Sequence, residues 1–348
     1  MVQESFQTVQ VLRGVAATFV ALFHILPGIR SEGFEWQLGT VLFSRGDIGV
    51  DIFFVISGFI IYYTSFSRTP PTVGAFAVNR FWRLMPPYWI VTLGMVAMGL
   101  AMSVVFADDR FLYSWEKLAG SFLLLPMPPE SYILIVAWTL SLEIIFYAIF
   151  AVFALGLGPR AFFTAMIVWY VLGLCSLVYS GDMSGWGIPA LNPIILEFVM
   201  GAWIGKRMLD GGTSHHTAAF CLGVLGLLVT MIANPELHPW LRKEFVVGVP
   251  AALLVYGAVG MHWRWPRVFM LWGQSSYILY LIHLPAYLVL GRATEELTGY
   301  NVYSHPLSAA GMVVVVVALA CLLTAYVEQP YQAFYKRRIV RKRRPATA

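Results

Sequence analysis

The chain has 348 residues, of which 59% are hydrophobic, 15% aromatic and only 12% charged. A soluble domain carries roughly 25% charged residues, so this composition excludes a soluble globular protein and indicates a polytopic membrane protein. The net charge of +5 comes largely from the tail "YKRRIVRKRR" (335–344). Such a tail is typical of a cytoplasmic anchor on anionic lipid and not of a nucleic-acid site.

The hydropathy pattern predicts an all-α polytopic membrane protein whose helices enclose a central cavity. About ten transmembrane helices are expected, near 9–29, 47–66, 86–106, 138–157, 161–180, 190–208, 218–234, 245–262, 270–290 and 308–328. A further apolar stretch at 117–136 contains three prolines and is predicted to be a short re-entrant or broken helical element. Most lysines and arginines fall on the inner side when the N-terminus is cytoplasmic, so both termini are expected there.

The first span, "VLRGVAATFVALFHI" (11–25), carries two ionisable side chains, Arg13 and His24. Eleven helical steps come within about 20° of a whole number of turns, so both side chains face the same way, ~16 Å apart along the axis. An arginine suits an anionic ligand such as a phosphate, and a histidine suits proton transfer or nucleophilic attack. The pair predicts a cavity with the cation near its cytoplasmic mouth. A snorkelling arginine and a packing histidine are the alternative.

The second span opens with "RGDIGVDIFFVISGFII" (45–61), where Asp47 and Asp51 share one helix face. Asp51 is a candidate partner for a cation or a histidine, or else an ordinary carboxylate at a helix start. Ser57 and Gly58 are small and permit close helix approach. We expect Ser57 to line the cavity or to face the acceptor.

The third span follows two arginines in "VNRFWRLMPPYW" (78–89). Arg80 and Arg83 lie at i and i+3, on one helix face at the inner membrane surface. Two adjacent guanidinium groups could clamp a phosphate or pyrophosphate. A positive-inside anchor beside an aromatic belt gives the same pattern.

Two further spans contain carboxylates. Glu143 lies in "AWTLSLEIIFY" (137–147), close in sequence to Trp138 and Ser141, and Glu197 lies in "NPIILEFVMGAW" (192–203). A carboxylate inside a membrane helix is a candidate functional group that needs a partner such as His24 or an arginine. A buried charge pair that fixes helix packing remains the alternative for both.

A polar stripe runs along the span "GQSSYILYLIHLP" (273–285) and its continuation. Ser276, Tyr280, His283 and Tyr287 lie at i, i+4, i+7 and i+11, which is typical of a cavity lining or of hydrogen bonds between helices. In the last span, Glu328 before Pro330 is interpreted as a structural stop. The sequence has no HExxH, CxxC or acidic triad, so no metal is expected.

Seven motifs in order resemble the acyltransferase 3 family of bacterial membrane O-acyltransferases, most of all the stand-alone exopolysaccharide O-acetyltransferases. These are the Arg-x10-His first helix, "GVDIFFVISGFII", "NRFWRLMPPYW", "WTLSLEIIFY", "LEFVMG", "SYILYLIHLP" and "VEQP" followed by basic residues. The resemblance covers essentially the whole chain. It implies an acyltransferase transmembrane domain over 1–335, with a basic cytoplasmic tail over 336–348, in the bacterial inner (plasma) membrane.

The resemblance also implies an activity: an acetyl group moves from the co-substrate acetyl-CoA to a carbohydrate hydroxyl of a surface or exported polysaccharide or its lipid-linked precursor. The expected partners are therefore acetyl-CoA, a carbohydrate or lipid-linked oligosaccharide, membrane lipid and the polysaccharide biosynthesis machinery, but no nucleic acid. His24 matches the family's essential histidine and Arg13 the arginine before it. Arg80 and Arg83 match its basic third-helix motif. Glu143 matches the carboxylate of its W-S-L-x-x-E pattern, with Thr139 where serine is usual.

We expect His24 to act as general base on the acceptor hydroxyl or to accept the acetyl group transiently. Glu143 or Asp51 would orient it, as a carboxylate orients the base of a catalytic triad. Arg13, Arg80 and Arg83 would bind the donor. The expected cavity or acceptor side is formed by Ser57, Trp138, Ser141, Glu197, Ser276, Tyr280 and His283.

Other functions fit the same pattern of residues. A proton-coupled transporter also has ionisable stripes on about ten helices, although no inverted repeat is evident. A non-catalytic factor of the polysaccharide export machinery is a third class. Among enzymes, a succinyl donor, or a macrolide or peptidoglycan acceptor, stays open.

Overall fold

The structure is a computed structural model and describes residues 6–31, 44–107, 112–181, 188–212, 214–233, 243–335 and 337. Over these residues the regular secondary structure is helical throughout. The predicted tail over 336–348 lies outside the described residues, apart from Arg337. The all-α architecture expected from composition is confirmed.

The first half of the chain contains six helices: α1 (Gln7–Ser31), α2 (Ile48–Phe66), α3 (Val73–Phe106), α4 (Trp115–Leu123), α5 (Ala137–Ile149) and α6 (Pro159–Ser180). The second half contains eight: α7 (Leu196–Leu209), α8 (His216–Ala233), α9 (Lys243–Val246), α10 (Gly248–Gly260), α11 (Arg267–Gln274), α12 (Ser276–Thr298), α13 (Pro306–Leu323) and α14 (Gln329–Tyr335). A π-helical segment, Phe150–Leu157, extends α5, and a second one, Thr324–Glu328, joins α13 to α14.

Within the described part of the chain, eight helical segments are long and apolar enough to cross a membrane, compared with about ten predicted spans. The predicted span at 190–208 corresponds to α7, which has only 14 residues and follows two short 3₁₀ turns. The span at 270–290 falls on α11 and α12, which are separated at Ser275. Both regions are helical, and the polytopic membrane class holds.

Helix α3 is much longer than the predicted span of 86–106. It begins at Val73, where the Thr72 side chain accepts a hydrogen bond from the Ala75 amide, and continues through Pro86 and Pro87. Pro86 has no N–H and cannot bond the carbonyl of Trp82 one turn earlier. The Tyr331 hydroxyl of α14 donates to that carbonyl instead, at 3.2 Å. The helix therefore carries Arg80 and Arg83 on regular backbone.

The C-terminal end of the bundle also differs from expectation. Glu328 was expected to stop the last span, but the π-helical turn passes through it and α14 continues to Tyr335. The Glu328 carboxylate accepts hydrogen bonds from Thr324 Oγ1 and Gln332 Nε2, at 3.3 and 2.8 Å. These local bonds keep the chain helical through the turn.

The broken element predicted at 117–136 consists of the nine-residue α4 and a 3₁₀ turn, Pro129–Ser131. Helix α4 ends at Leu123, and the next residue, Leu124, has a φ of 49°, in the left-handed region. The buried Tyr132 hydroxyl then donates to the Leu125 carbonyl and accepts from the Met127 amide. This segment connects α3 to α5.

Helices α2 and α7 pack closely through two glycines. A Cβ placed on Gly58 would lie 2.1 Å from the Phe198 carbonyl oxygen, and one on Gly201 would lie 1.9 Å from that of Val55. The rings of Phe54 and Phe198 stack beside this contact, with centroids 4.5 Å apart. The contact fixes α2, and with it the adjacent Ser57, relative to the rest of the bundle.

Candidate active site

Helices α1, α2, α3, α5 and α12 surround a partly enclosed cavity of about 110 Å³, which has room for several water molecules. Seven of the residues predicted to form the site line this cavity: Arg13, Ser57, Arg80, Arg83, Glu143, Ser276 and Tyr280. Their positions in the chain run from 13 to 280, so only the folded bundle brings them together.

Three arginines contribute positive charge to the cavity. Arg13 comes from α1, whereas Arg80 and Arg83 come from α3. The Arg80 guanidinium lies over the rings of Phe76 and Tyr147, 5.3 and 5.6 Å from their centroids. Among the described residues, none of the three has a carboxylate within 4 Å. Arginines without a carboxylate partner are suited to an anionic ligand.

Glu143 brings a negative charge to the same cavity. Its Oε1 accepts a 2.8 Å hydrogen bond from Ser57 Oγ and a short one from the Tyr147 hydroxyl. The expected contact with His24 is not made, because the carboxylate is held by these two donors on α2 and α5. Glu143 thus faces the arginines with its position fixed by two hydroxyl groups.

His24 lies at a different end of the site and does not line the cavity wall. Its Nδ1 is 2.9 Å from the Val20 carbonyl oxygen and 3.3 Å from Nε2 of the buried His283. The His283 ring in turn lies beside the ring of Tyr280, a cavity residue, with centroids 6.0 Å apart. The imidazole pair therefore lies next to Tyr280, a residue of the cavity wall.

Asp51 and Glu197 belong to a separate buried cluster and line no part of the cavity. Lys243 Nζ lies 3.1 Å from Asp51 Oδ2 and 2.9 Å from Asp47 Oδ2. Asp51 and Glu197 are both 0% exposed, and Gly248 packs against the Glu197 carboxylate. Of the two kinds of partner expected for Asp51, a cation or a histidine, the structure provides the cation, because α9 places Lys243 at the start of α2.

Trp138 and Ser141 also lie away from the cavity wall. The Ser141 hydroxyl donates to the Trp138 carbonyl within α5, at 2.7 Å, and the Trp138 ring packs edge-on against Phe54. Tyr287, the last residue of the stripe on α12, donates to the Ala21 carbonyl at 3.1 Å and joins α12 to α1.

Three polar residues of the cavity wall were not among the predicted site residues: Thr139, Tyr277 and Tyr147, which donates to Glu143. Thr139 shares a 2.9 Å hydrogen bond with the Tyr280 hydroxyl, so the threonine found in place of the usual serine still supplies a hydroxyl group. Tyr277 donates to the Leu84 carbonyl at 2.6 Å and ties α12 to α3 beside Arg83. Its position three residues before Tyr280 was the available signal, since i and i+3 share a helix face.

Comparisons with known proteins agree with the resemblance seen in the sequence. The acyltransferase 3 family model, described as "Acyltransferase domain", matches residues 6–325. The "Exopolysaccharide production protein ExoZ" of Rhizobium meliloti (strain 1021) is 32% identical, over 72% of this chain and 80% of ExoZ. No solved structure matches the chain.

Two more distant relatives are named for acyl transfer. The "Putative peptidoglycan O-acetyltransferase YrhL" of Bacillus subtilis (strain 168) is 27% identical over 92% of this chain, which spans about half of YrhL (54%). The "Putative membrane-bound transacylase BcsY" of Komagataeibacter xylinus is 28% identical over 41% of this chain and 36% of BcsY. With a family match over most of its length and helices that can span a membrane, the chain belongs to the acyltransferase 3 family and is a multi-pass membrane O-acyltransferase.

Proposed function

We propose that this enzyme transfers an acetyl group from acetyl-CoA to a carbohydrate hydroxyl of a surface or exported polysaccharide or of its lipid-linked precursor. The observation that carries the proposal is the convergence of Arg13, Arg80 and Arg83 on one cavity inside an acyltransferase bundle. Coenzyme A is anionic at one end and carries its thioester at the end of a long arm, so a cluster of unpaired arginines suits its phosphates.

The choice of acceptor follows from the relatives. ExoZ is named for exopolysaccharide production and YrhL for peptidoglycan O-acetylation, and both names point to a carbohydrate hydroxyl. We place the enzyme in the inner (plasma) membrane with both termini in the cytoplasm, where the basic C-terminal residues and acetyl-CoA would both be found. The polysaccharide biosynthesis machinery would supply the acceptor.

His24 is the proposed general base. Its Nε2 would take the proton of the acceptor hydroxyl while that oxygen attacks the thioester carbonyl. The C–S bond breaks, the coenzyme A thiolate leaves, and the proton passes from His24 to the sulfur. If His24 is acetylated first, the same bonds form and break in two steps. The thioester arm would extend from the arginines past Tyr280, over the ~16 Å that separates Arg13 from His24 along α1.

The direct experiment uses the purified full-length protein in liposomes, radiolabelled acetyl-CoA and a bacterial exopolysaccharide acceptor. The wild-type protein should transfer label to the polysaccharide, and His24→Ala should not. The control His262→Ala should transfer label at the wild-type rate, because His262 is exposed. Succinyl-CoA in parallel tests the donor. If His24→Ala transfers label normally but abolishes solute flux into the liposomes, the protein is a carrier and the proposal is wrong.

The acceptor is identified in cells. Mass spectrometry of surface glycans from a deletion strain should show loss of acetyl groups, with restoration by the wild-type gene and not by the His24→Ala allele. Unchanged glycan acetylation, together with loss of acetyl groups from peptidoglycan, would contradict the proposed exopolysaccharide acceptor and identify peptidoglycan in its place.

A further inference from the structure

The contact between His24 and His283 is the only one that joins two imidazole rings in the described part of the chain. It bridges α1 and α12, with ring centroids 5.0 Å apart and a 3.3 Å distance from His283 Nε2 to His24 Nδ1. His283 is 1% exposed, so its ring nitrogens must find their partners inside the protein. The hydrogen-bonding groups around the two rings determine which ring nitrogens carry a hydrogen.

Each ring places its Nδ1 against a backbone carbonyl. His24 Nδ1 is 2.9 Å from the Val20 oxygen, and His283 Nδ1 is 3.1 Å from the Leu279 oxygen. A carbonyl oxygen only accepts hydrogen bonds, so each Nδ1 must carry the hydrogen. A neutral imidazole has one N–H, and both Nε2 atoms are therefore bare.

This assignment settles the direction of the contact between the rings. The bare Nε2 of His283 accepts from the Nδ1–H of His24, a hydrogen shared with the Val20 carbonyl. The reverse direction would turn a nitrogen lone pair toward each of two carbonyl oxygens, which is repulsive. Only the first direction gives both Nδ1–H groups an acceptor and His283 Nε2 a donor.

The neighbouring tyrosines do not compete for His283 Nε2. Tyr280 and Tyr287 lie beside His283, with ring centroids 6.0 and 6.1 Å away. The Tyr280 hydroxyl is engaged with Thr139 and with the Val136 carbonyl, and the Tyr287 hydroxyl with the Ala21 carbonyl. His24 is thus the partner that the structure provides for this nitrogen.

We infer that His283 is a positioning residue that orients the His24 ring together with the Val20 carbonyl, so that Nε2 stays bare to take a proton, and that it stabilises the imidazolium that then forms. The inference rests on the proposed function and gives His283 the part that a carboxylate has in a catalytic triad. When His24 Nε2 takes the acceptor proton, the bond from Nδ1–H to His283 becomes charge-assisted and stronger. A neutral partner avoids placing a second buried charge in the bundle.

A spectroscopic test needs no catalysis. In protein labelled with [15N]histidine, 15N–1H correlations distinguish the two neutral tautomers, and the His24 signal is identified by its loss in His24→Ala. We expect the Nδ1–H tautomer in wild type and, in His283→Phe, a displaced Nδ1–H resonance, because one of the two acceptors of that hydrogen is lost while the Val20 carbonyl remains. An Nε2–H tautomer in wild type, or an unchanged Nδ1–H resonance in His283→Phe, would overturn the inference.

The kinetic test separates positioning from folding. His283→Phe keeps a ring but removes the acceptor nitrogen, and we expect kcat to fall about 10-fold or more while the KM for acetyl-CoA stays within about two-fold. His283→Gln restores an acceptor oxygen near the Nε2 position and should recover part of the rate. The control Tyr303→Phe removes a hydrogen bond between Tyr303 and the same helix α12 and should leave kcat unchanged.

The two proposals fail in different ways. If His24→Ala is fully active, the proposed role of His24 is wrong, whatever the tautomer. If His24→Ala is inactive but His283→Phe and His283→Gln both match wild type, only the role of His283 is wrong.

Discussion

Ser57 Oγ donates a 2.8 Å hydrogen bond to Glu143 Oε1, although the two residues are 86 positions apart in the chain. The same oxygen accepts from Tyr147, and the cavity around it contains three arginines. The carboxylate is therefore placed by α2 and α5 together, and its charge offsets part of the positive charge in the cavity.

Glu143→Gln tests whether this charge matters. The amide oxygen can still accept from Ser57, so the fold should persist and the expressed amount should stay normal. The loss of the negative charge should lower kcat by roughly 100-fold, the lower end of the contribution made by positioned acid–base groups. Steady-state kinetics of the purified variant measures this, with the exposed Glu130→Gln as control. Wild-type turnover would make Glu143 a packing residue.

Arg13→Ala and Arg83→Ala test the donor site. Each substitution removes a hydrogen bond to a charged group, worth about 1.5–3 kcal/mol, so acetyl-CoA affinity should weaken roughly 10- to 100-fold. Titration of each purified variant with acetyl-CoA in a calorimeter measures the change. Arg160→Ala is the matched control, because Arg160 lies in a separate surface pocket with Lys206 and Asp210. Equal affinity in all variants would refute the assigned role.

Lys243→Met tests the buried charge cluster. Removing Lys243 leaves Asp51 without its cation at a fully buried position, and breaking such a pair costs about 3–5 kcal/mol. We expect a clear drop in Tm in detergent. Lys206→Met removes an exposed ion pair, in which Lys206 Nζ lies 2.5 Å from Asp210 Oδ2. Its loss should lower the free energy of unfolding by at most ~1 kcal/mol. Similar Tm values for the two variants would show that the cluster contributes little to stability.

Gly201→Ala tests the close approach of α2 and α7. The added methyl group would overlap the Val55 carbonyl, so the helices must separate, and we expect destabilisation of about 1–3 kcal/mol together with lower activity, because Ser57 moves with α2. Gly94→Ala is the control in α3, where nothing lies within 4 Å. There alanine should stabilise the helix by up to about 1 kcal/mol. Thermal unfolding in detergent compares the two.

The local part of the site could be predicted from the sequence. Helical periodicity alone indicates that Arg80 and Arg83 share one helix face and that Ser276 and Tyr280 share another. In the structure all four side chains line the same cavity. Such relationships depend only on the 3.6-residue turn. The helical class follows in the same way from apolar runs of sufficient length.

The pairings between helices could not be predicted in this way. Glu143 was expected to partner His24 or an arginine, yet it accepts a hydrogen bond from Ser57. Asp51 forms an ion pair with Lys243, from a segment almost two hundred residues later. A single sequence contains no signal for which helices are neighbours. The start of α3 was missed for a different reason: Pro86 and Pro87 favour a helix that starts there, yet α3 begins at Val73 and passes through both, with Tyr331 donating to the Trp82 carbonyl that Pro86 cannot bond.

The contact between Tyr331 and the Trp82 carbonyl also bears on where the folded unit ends. The family match stops at residue 325, but Tyr331 and Tyr335 bond α3 at Trp82 and Asn79, on the turns that carry Arg80 and Arg83. A chain cut after residue 325 would keep every residue that the family model matches, but it would lose the VEQP motif and the tyrosines that brace those turns. The region that the family model matches is thus shorter than the folded unit, and a minimal enzyme has to extend at least to Tyr335.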